Sequence, residues 1–531
     1  MLKRTASNRT IVIGAGIGGL AAALRLAHAG QDVIVLDRAG GPGGKLRTLP
    51  SVAGPVDAGP TVFTMKPLFD RLFCEVGERL EDHIEAIAEP VLARHWWPDS
   101  GPLDLYADPE RSAEAIRAFS GAKSEAEFRR FSATAKRLFK AFEAPIMHAP
   151  QPNLGAVTRR VLTAPGLMGA LAPHKSMWRW LRGQFSDPRL VQLFGRYATY
   201  VGGSPFDSPA LLALIWHAEA SGVWRIKGGM HRLATALEGL AESRGARFQY
   251  GAHVTKIATN GPQSFRVLLA TGEELLTDNV VFNGDPAALA AGMLGEDVTR
   301  AVRTEGVAPR ALSAFVWSFA AEPQGLDLTH HNVFFNHHYR REFAAIDASR
   351  MPVDATLYVC AQDRGAGLTP NGPERFEIIM NGAAAPADDA QLAAKPAEER
   401  HSCRLLTFQT LERAGLVFSP RPDISALTTP ADFANLFPGS DGSLYGRSPH
   451  GMMASFKRPV VRTTLPGLYL AGGGVHPGPG LPMAMSSGRH AAAAILTDHA
   501  STSRSPRTDT RGGMSTDSRM TDAMASRSLP S

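Results

Sequence analysis

"IVIGAGIGGL", residues 11–20, decides the fold. Three apolar β-formers run into Gly14, Gly16, Gly18 and Gly19, and an alanine- and leucine-rich segment follows. Glycines so dense carry an entropic cost, so the backbone there meets something a side chain would block. Residues 10–14 read as a buried strand, 18–29 as a helix closed by Gly30, and "DVIVLD", 32–37, as a second buried strand. This β-turn-α-β unit has the length a parallel sheet requires, and its right-handed crossover sets the strands side by side.

Gly14, Gly16 and Gly19 form G-x-G-x-x-G. Gly14 allows the tight turn, Gly16 lets backbone approach a pyrophosphate, and Gly19 lets helix and strand pack closely. The helix start near Ile17 points free N–H groups and a positive dipole end at the phosphates. Asp37 ends the second strand, where a carboxylate would bond a ribose 2′-hydroxyl and repel a 2′-phosphate. The pattern therefore predicts a dinucleotide other than NADP, with NAD and FAD both open.

The 531-residue chain is too long for one core, so two or three domains are expected. Its formal charge of +6 suits an anionic membrane surface and is too scattered for nucleic acid. Cys74, Cys360 and Cys403 lie far apart without metal-ligand spacing, so no metal site is expected. Unpaired thiols suit a reducing compartment. No cleavable leader is expected, and no apolar run reaches the ~20 residues that cross a bilayer.

Residues 110–145 read as helical. "VTRRVLTAPGLMGALAPHKSMWRW", 157–180, mixes Leu, Met and Trp with Arg and Lys, and its prolines break it into short pieces. Segments near 247–257, 264–270 and 278–283 read as strands, and 310–380 has further strand character. "GLYLAGGG", 467–474, precedes a last helix through about Leu496, and 499–531 carry no apolar period and read as a disordered tail.

After Asp37 a second glycine cluster follows in "RAGGPGGKLRT", then "VDAGPTVF" at 56–63. Together "GAGIGGL", "GPGGKLRT", "DAGPTVF", "VVFNGDP" (280–286) and "LYLAGGGVHPGPGLPMAMSSGRHAA" (468–492) resemble the bacterial-type carotenoid desaturases, FAD-dependent relatives of phytoene desaturase. The resemblance covers about residues 10 to 497. "LTHHNVFFNHHYRREF" (328–343) and "TPADFANLFPGSDGSLYGRSPHGMMASFKRP" (429–459) resemble the branch acting on hydroxylated acyclic carotenoids, the hydroxyneurosporene dehydrogenases or 1-hydroxycarotenoid 3,4-desaturases. Amine oxidases and Rab escort-type proteins share the first two motifs. Gly472-Gly473 replaces the "GD" frequent in the wider flavin-oxidase group, which weakens an amine oxidase reading.

The resemblance implies an α/β fold with α+β insertions. A Rossmann-like FAD-binding domain would comprise 8–80, 222–295 and 460–498. A helical, membrane-facing cap would span 81–221, and a mixed-sheet substrate domain 296–459. By carry-over, Gly14, Ala15, Gly16, Gly18 and Gly19 would hold the pyrophosphate, and Asp37, with Arg38 beside it, the ribose. Gly44 and Lys45 would lie near the ribityl–phosphate section, and Gly59, Pro60 and Thr61 beside the flavin ring. Val254 would contact adenine, and Gly472, Gly473, Leu481 and Met483 would face the pyrimidine edge.

The implied reaction is C-3,4 desaturation of 1-hydroxylated acyclic carotenoids, which removes a hydride and a proton. Flavin takes the hydride, and the protein supplies orientation and a dry, apolar channel. The uncharged substrate offers one polar handle, its C1 hydroxyl. His476 is the first candidate for the proton, with His331 and His450 behind it, and a route without a dedicated base also fits. Residues 157–182 read equally as an interfacial anchor or an ordinary helical subdomain. A phytoene or neurosporene desaturase, and a non-catalytic prenyl or lipid carrier, are the alternatives. The implied place is cytoplasmic, peripheral to the inner or photosynthetic membrane, with oxygen or a quinone as electron acceptor.

Overall fold

The strand Arg9–Ile13 is the centre of a five-stranded parallel sheet in the computed structural model, which describes residues 9–503 except 165, 262, 369 and 386–395. The order is Arg247–Gln249, Asp32–Leu36, Arg9–Ile13, Asn279–Phe282, Leu468–Leu470. Its central strands are continuous apolar runs, as a sheet covered on both faces requires. The helix Ile17–His28 returns the chain between the first two strands, as the glycine pattern predicts. The helix Leu481–Ser503 packs along it. A Cβ on Gly488 would lie 1.9 Å from the Gly18 carbonyl oxygen, so the two helix backbones touch. An antiparallel meander, Val254–Thr259, Phe265–Leu269 and Glu274–Thr277, leads into the fourth strand of the sheet.

A second, mixed sheet runs Val417–Ser419, Ser313–Gln324, Glu374–Gly382, Leu357–Ala361, His331–Phe334, Val91–Trp97, Ser100–Tyr106, and Leu427–Thr428 also pairs with Ser313–Gln324. One face buries Phe315, Trp317, Phe376 and Ile378 beneath Phe408 and Leu411 of the helix Pro396–Arg413. The opposite face looks toward the nucleotide-type sheet and carries the site.

The segment 81–221 is not wholly helical. Val91–Trp97 and Ser100–Tyr106 join the mixed sheet through His331–Phe334, a partner whose distance along the chain hides the pairing from local pattern. From Pro109 onward the segment is helical, with Phe128, Phe131, Phe194 and Trp216 at its centre. Its pieces Leu154–Thr163, Leu167–Leu171 and Met177–Leu181 follow the expected breaks. The tryptophans of this stretch turn inward: Trp180 is buried, and Trp178 packs on Phe206. Its aliphatic side chains do not, with Leu162 77% and Met168 55% exposed. Among the described residues no helix is long and apolar enough to cross a membrane. The last helix continues to Ser503, so residues 499–503 of the expected tail are helical, and 504–531 lie outside the described residues.

Gly488→Ala forces the two helices apart and is expected to lower stability by about 1–3 kcal/mol. Gly239→Ala, at an exposed helical site with open space around it, is expected to raise stability by a few tenths to about 1 kcal/mol. Urea unfolding of both variants checks the pair.

Candidate functional site

The first glycine turn is built from main chain. Gly14 has φ +103°, which suits glycine. A Cβ on Gly19 would lie 2.0 Å from the Gly14 carbonyl oxygen. Asp37 clamps the turn, its carboxylate accepting from Ala15 N at 2.6 Å and Ala39 N at 2.8 Å. It remains half-buried at the strand end, and Arg38 beside it is exposed. Gly43 N donates to the Ala15 carbonyl at 2.9 Å, and Gly16 bridges Gly43, so the two glycine clusters face one another.

Asn283, in "VVFNGDP", was missed as a site residue although its motif stood out. Its Nδ2 donates to the Gly14 carbonyl at 3.1 Å, and its Oδ1 is buried without a hydrogen-bond partner among the described residues. A Cβ on Gly18 would strike Asn283 Oδ1, Gly472 N and Ala484 O, so the first turn, this Asn and the last helix converge. Gly472 N donates to Ser487 Oγ at 2.7 Å. Leu481 and the half-buried Met483 open the last helix beside this junction. Val254 lies buried at the start of the meander strand, next to a register shift.

A group of cations lines the junction. Lys45 Nζ donates to the Leu444 carbonyl at 2.8 Å and stands 5.4 Å from the Phe437 ring centre. Arg458 donates to the carbonyls of Tyr445 at 2.9 Å and Gly473 at 3.3 Å. Arg310 pairs with Asp285 at 2.5 Å. Burial lowers the Lys45 pKa to about 8; Asp285 opposes the shift, and Arg310 and Arg458 reinforce it. Burial likewise brings Arg458 to about 10. The pull of Asp285 does not offset desolvation at either cation, so a bound anion would be stabilised here.

Gly59 sits against the Lys45 backbone, a Cβ there falling 1.9 Å from the Lys45 carbonyl oxygen. Two residues on, Thr61 Oγ1 is 2.7 Å from Tyr358 Oη, and Tyr358 Oη is 2.7 Å from His331 Nδ1. The segment Gly59–Pro60–Thr61 therefore lies between the second glycine cluster and the mixed sheet. Asp57 holds its start by accepting from Met230 N at 2.6 Å and His231 N at 3.2 Å.

The three candidate histidines separate. His476 is buried with Nε2 3.0 Å from the Ala149 carbonyl, and burial holds it at about 4, a neutral ring at working pH. His450 Nε2 accepts from Ser204 N at 2.9 Å. Only His331 joins the chain that reaches Thr61. The cradle fits an extended flavin dinucleotide on three observations: backbone-walled glycine turns, excess buried positive charge, and the orphaned Asn283 oxygen between them.

Residues 17–318 match the family model for flavin containing amine oxidoreductases. The chain is 54% identical over 496 residues to a hydroxyneurosporene desaturase of Cereibacter sphaeroides, covering 93% of this chain and 99% of that one. It is 49% identical to the Rhodobacter capsulatus hydroxyneurosporene desaturase, with 93% and 99% covered. A solved putrescine oxidase bound to putrescine shares the fold, with TM-score 0.58 at 14% identity over 92% of this chain and 99% of that one. Cradle, charge and likeness agree: the chain belongs to the flavin-containing amine oxidoreductase family, in its carotenoid desaturase branch, and is an FAD-dependent oxidoreductase.

Proposed function

We propose that this protein introduces the C-3,4 double bond into 1-hydroxylated acyclic carotenoids. The observation that carries the reading is 54% identity over nearly the whole chain to a relative named for a hydroxyneurosporene substrate. The junction supports it: on the side of Thr61 one row of the mixed sheet is Val316, Ile379, Tyr358 and Val333, uncharged throughout, with Ile379 and Tyr358 partly exposed between the two buried valines.

FAD, when bound, accepts the hydride. The chain's residues do the rest. Gly14–Gly19 and Asp37 hold the adenosine and pyrophosphate end, with Asn283 bracing the turn. Lys45 and Arg458 supply positive charge beside the ribityl and ring sections. The N-terminus of Leu481–Ser503 adds a dipole favouring negative charge, worth about 0.3–1 kcal/mol where exposed. The apolar row excludes water and lays the chain flat against the ring position. His476 ties the C-terminal loop to the helical segment through Ala149, and a base held near pKa 4 is too weak to hold the leaving proton at neutral pH.

The helical segment brings the site to the membrane. No residue of Leu154–Thr163 is buried, and Leu154, Leu162 and Met168 stand exposed among Arg159, Arg160 and Lys175. Such a face binds an anionic lipid surface by apolar burial and charge together.

Three outcomes are expected. Anaerobic incubation with a 1-hydroxylated acyclic carotenoid bleaches the bound flavin and red-shifts the carotenoid spectrum, whereas a carrier leaves both unchanged. FAD binding to the apoprotein weakens as pH rises above about 8, because the Lys45 charge that favours the cofactor is present below that pKa and lost above it. The slope approaches tenfold per unit, and Lys45→Arg flattens it, as read by equilibrium titration. Finally, Leu162→Asp with Met168→Asp weakens sedimentation with anionic vesicles by about tenfold or more while leaving FAD content unchanged.

A further inference from the structure

The strand register places two rows of side chains across four strands on the sheet face that meets Thr61. One row is Ser318, Glu377, Cys360 and His331, polar throughout and buried. Among the described residues its Ser318 Oγ, Glu377 carboxyl and His331 Nε2 have no hydrogen-bond partner. The next row is Val316, Ile379, Tyr358 and Val333, apolar except for one hydroxyl. Tyr358, which carries it, is half-buried as a residue, and its uncharged row is the one suited to a polyene.

Tyr358 Oη is held from two sides, by Thr61 Oγ1 and by His331 Nδ1, each at 2.7 Å. A phenol oxygen offers one donor and two acceptor positions, so two bonds leave one for a further partner. The Cys360 thiol adjoins it, a weaker partner than an alcohol. Burial drives the His331 pKa well down and the Tyr358 pKa well up, so both stay neutral. From the helical segment, Tyr200 packs against the same buried cluster as Tyr358, its own oxygen engaged by Glu219 at 2.6 Å and Arg196 at 2.7 Å.

We infer that Tyr358, oriented by Thr61 and His331, is the hydrogen-bond partner of the substrate's C1 hydroxyl and selects hydroxylated over unhydroxylated carotenoid ends. The inference rests on the desaturase reading above. The chemistry fixes where such a partner must be. Three bonds separate the hydroxyl oxygen from C3, which keeps them within about 4 Å in any rotamer. The group that reads the hydroxyl must therefore adjoin the reacting carbon and the flavin ring, not the far end of the channel. Tyr358 is bonded to the segment carried over to the ring edge, and it is the one hydroxyl of its row. A neutral phenol suits a neutral alcohol, because a charge buried there would carry a desolvation cost without return.

The test compares the holoenzyme with Tyr358→Phe on two substrates, a 1-hydroxylated acyclic carotenoid and the same chain without the hydroxyl. The expected result is a 10- to 100-fold loss of kcat/KM, about that of one unmade buried hydrogen bond, on the hydroxylated substrate alone. Flavin content stays at the wild-type level. Binding gives a second readout, because the hydroxylated product is not turned over. Its affinity, followed by the shift in its own absorbance, weakens by a similar factor, and that of the unhydroxylated product does not. Should Tyr358→Phe fail to fold, His331→Asn is expected to lower the same substrate ratio. Equal losses on both substrates, or an unchanged ratio, overturn the inference and leave the desaturase reading standing. A wild-type protein that oxidises neither substrate overturns the desaturase reading, and the inference with it.

Discussion

Backbone meeting backbone is the constraint from which the rest of this protein follows. Gly19 lies on the Gly14 carbonyl, and Gly488 on the Gly18 carbonyl. No side chain fits at either point, and Asn283 lies beside them with its amide donating to the Gly14 carbonyl. These contacts draw three distant parts of the chain to one place, and the backbone-walled cradle they form there fits a dinucleotide. Helix starts and free N–H groups then point at that place without further design.

The same closeness sets the electrostatics. The half-buried Lys45 and the buried Arg458 stand where they donate hydrogen bonds to the backbone carbonyls of Leu444, Tyr445 and Gly473. Carbonyl dipoles keep these cations in place, but they do not cancel the charge. The excess is suited to a cofactor that arrives with a diphosphate and gains negative charge on reduction. A carboxylate at Gly473, as in wider flavin oxidases, would have spent part of that excess beside Arg458.

Local signals made the nucleotide-binding half legible. Strand, glycines, helix, strand and Asp37 fall within thirty positions, and each obeys a short-range rule that needs no partner elsewhere. The last motif was legible for the same reason. Other features were hidden because their meaning lies in distant contacts. Val91–Trp97 gives no sign in its own residues that it will pair with His331–Phe334. Gly488 looks like any helical glycine until Gly18 is set against it. The tryptophans of 177–180 read equally in sequence as interfacial or as part of a packed helical subdomain; the aromatic core of the helical segment draws Trp180 in, while Leu162 and Met168 remain outside. His331 was visible as a candidate but ranked behind His476, since what separates the three histidines is which carbonyl, N–H or hydroxyl each ring has already taken.

Thr61 and Tyr358 are 297 positions apart, and their contact shows how such a site is divided between the two halves. The nucleotide-binding half supplies a fixed edge, rigid because its glycines permit no alternative packing. The mixed sheet supplies a replaceable roof, since a change on one strand leaves the ladder and the cradle untouched. A roof of uncharged side chains, Ile379 partly exposed between the buried Val316 and Val333, can guide any long apolar chain, and shape alone distinguishes such chains poorly. One hydroxyl placed on that roof changes the problem, because an unpaired polar group in a dry site costs more than a missing methylene. Selectivity among carotenoid ends can therefore reside in a few roof positions, while the chemistry stays with the edge.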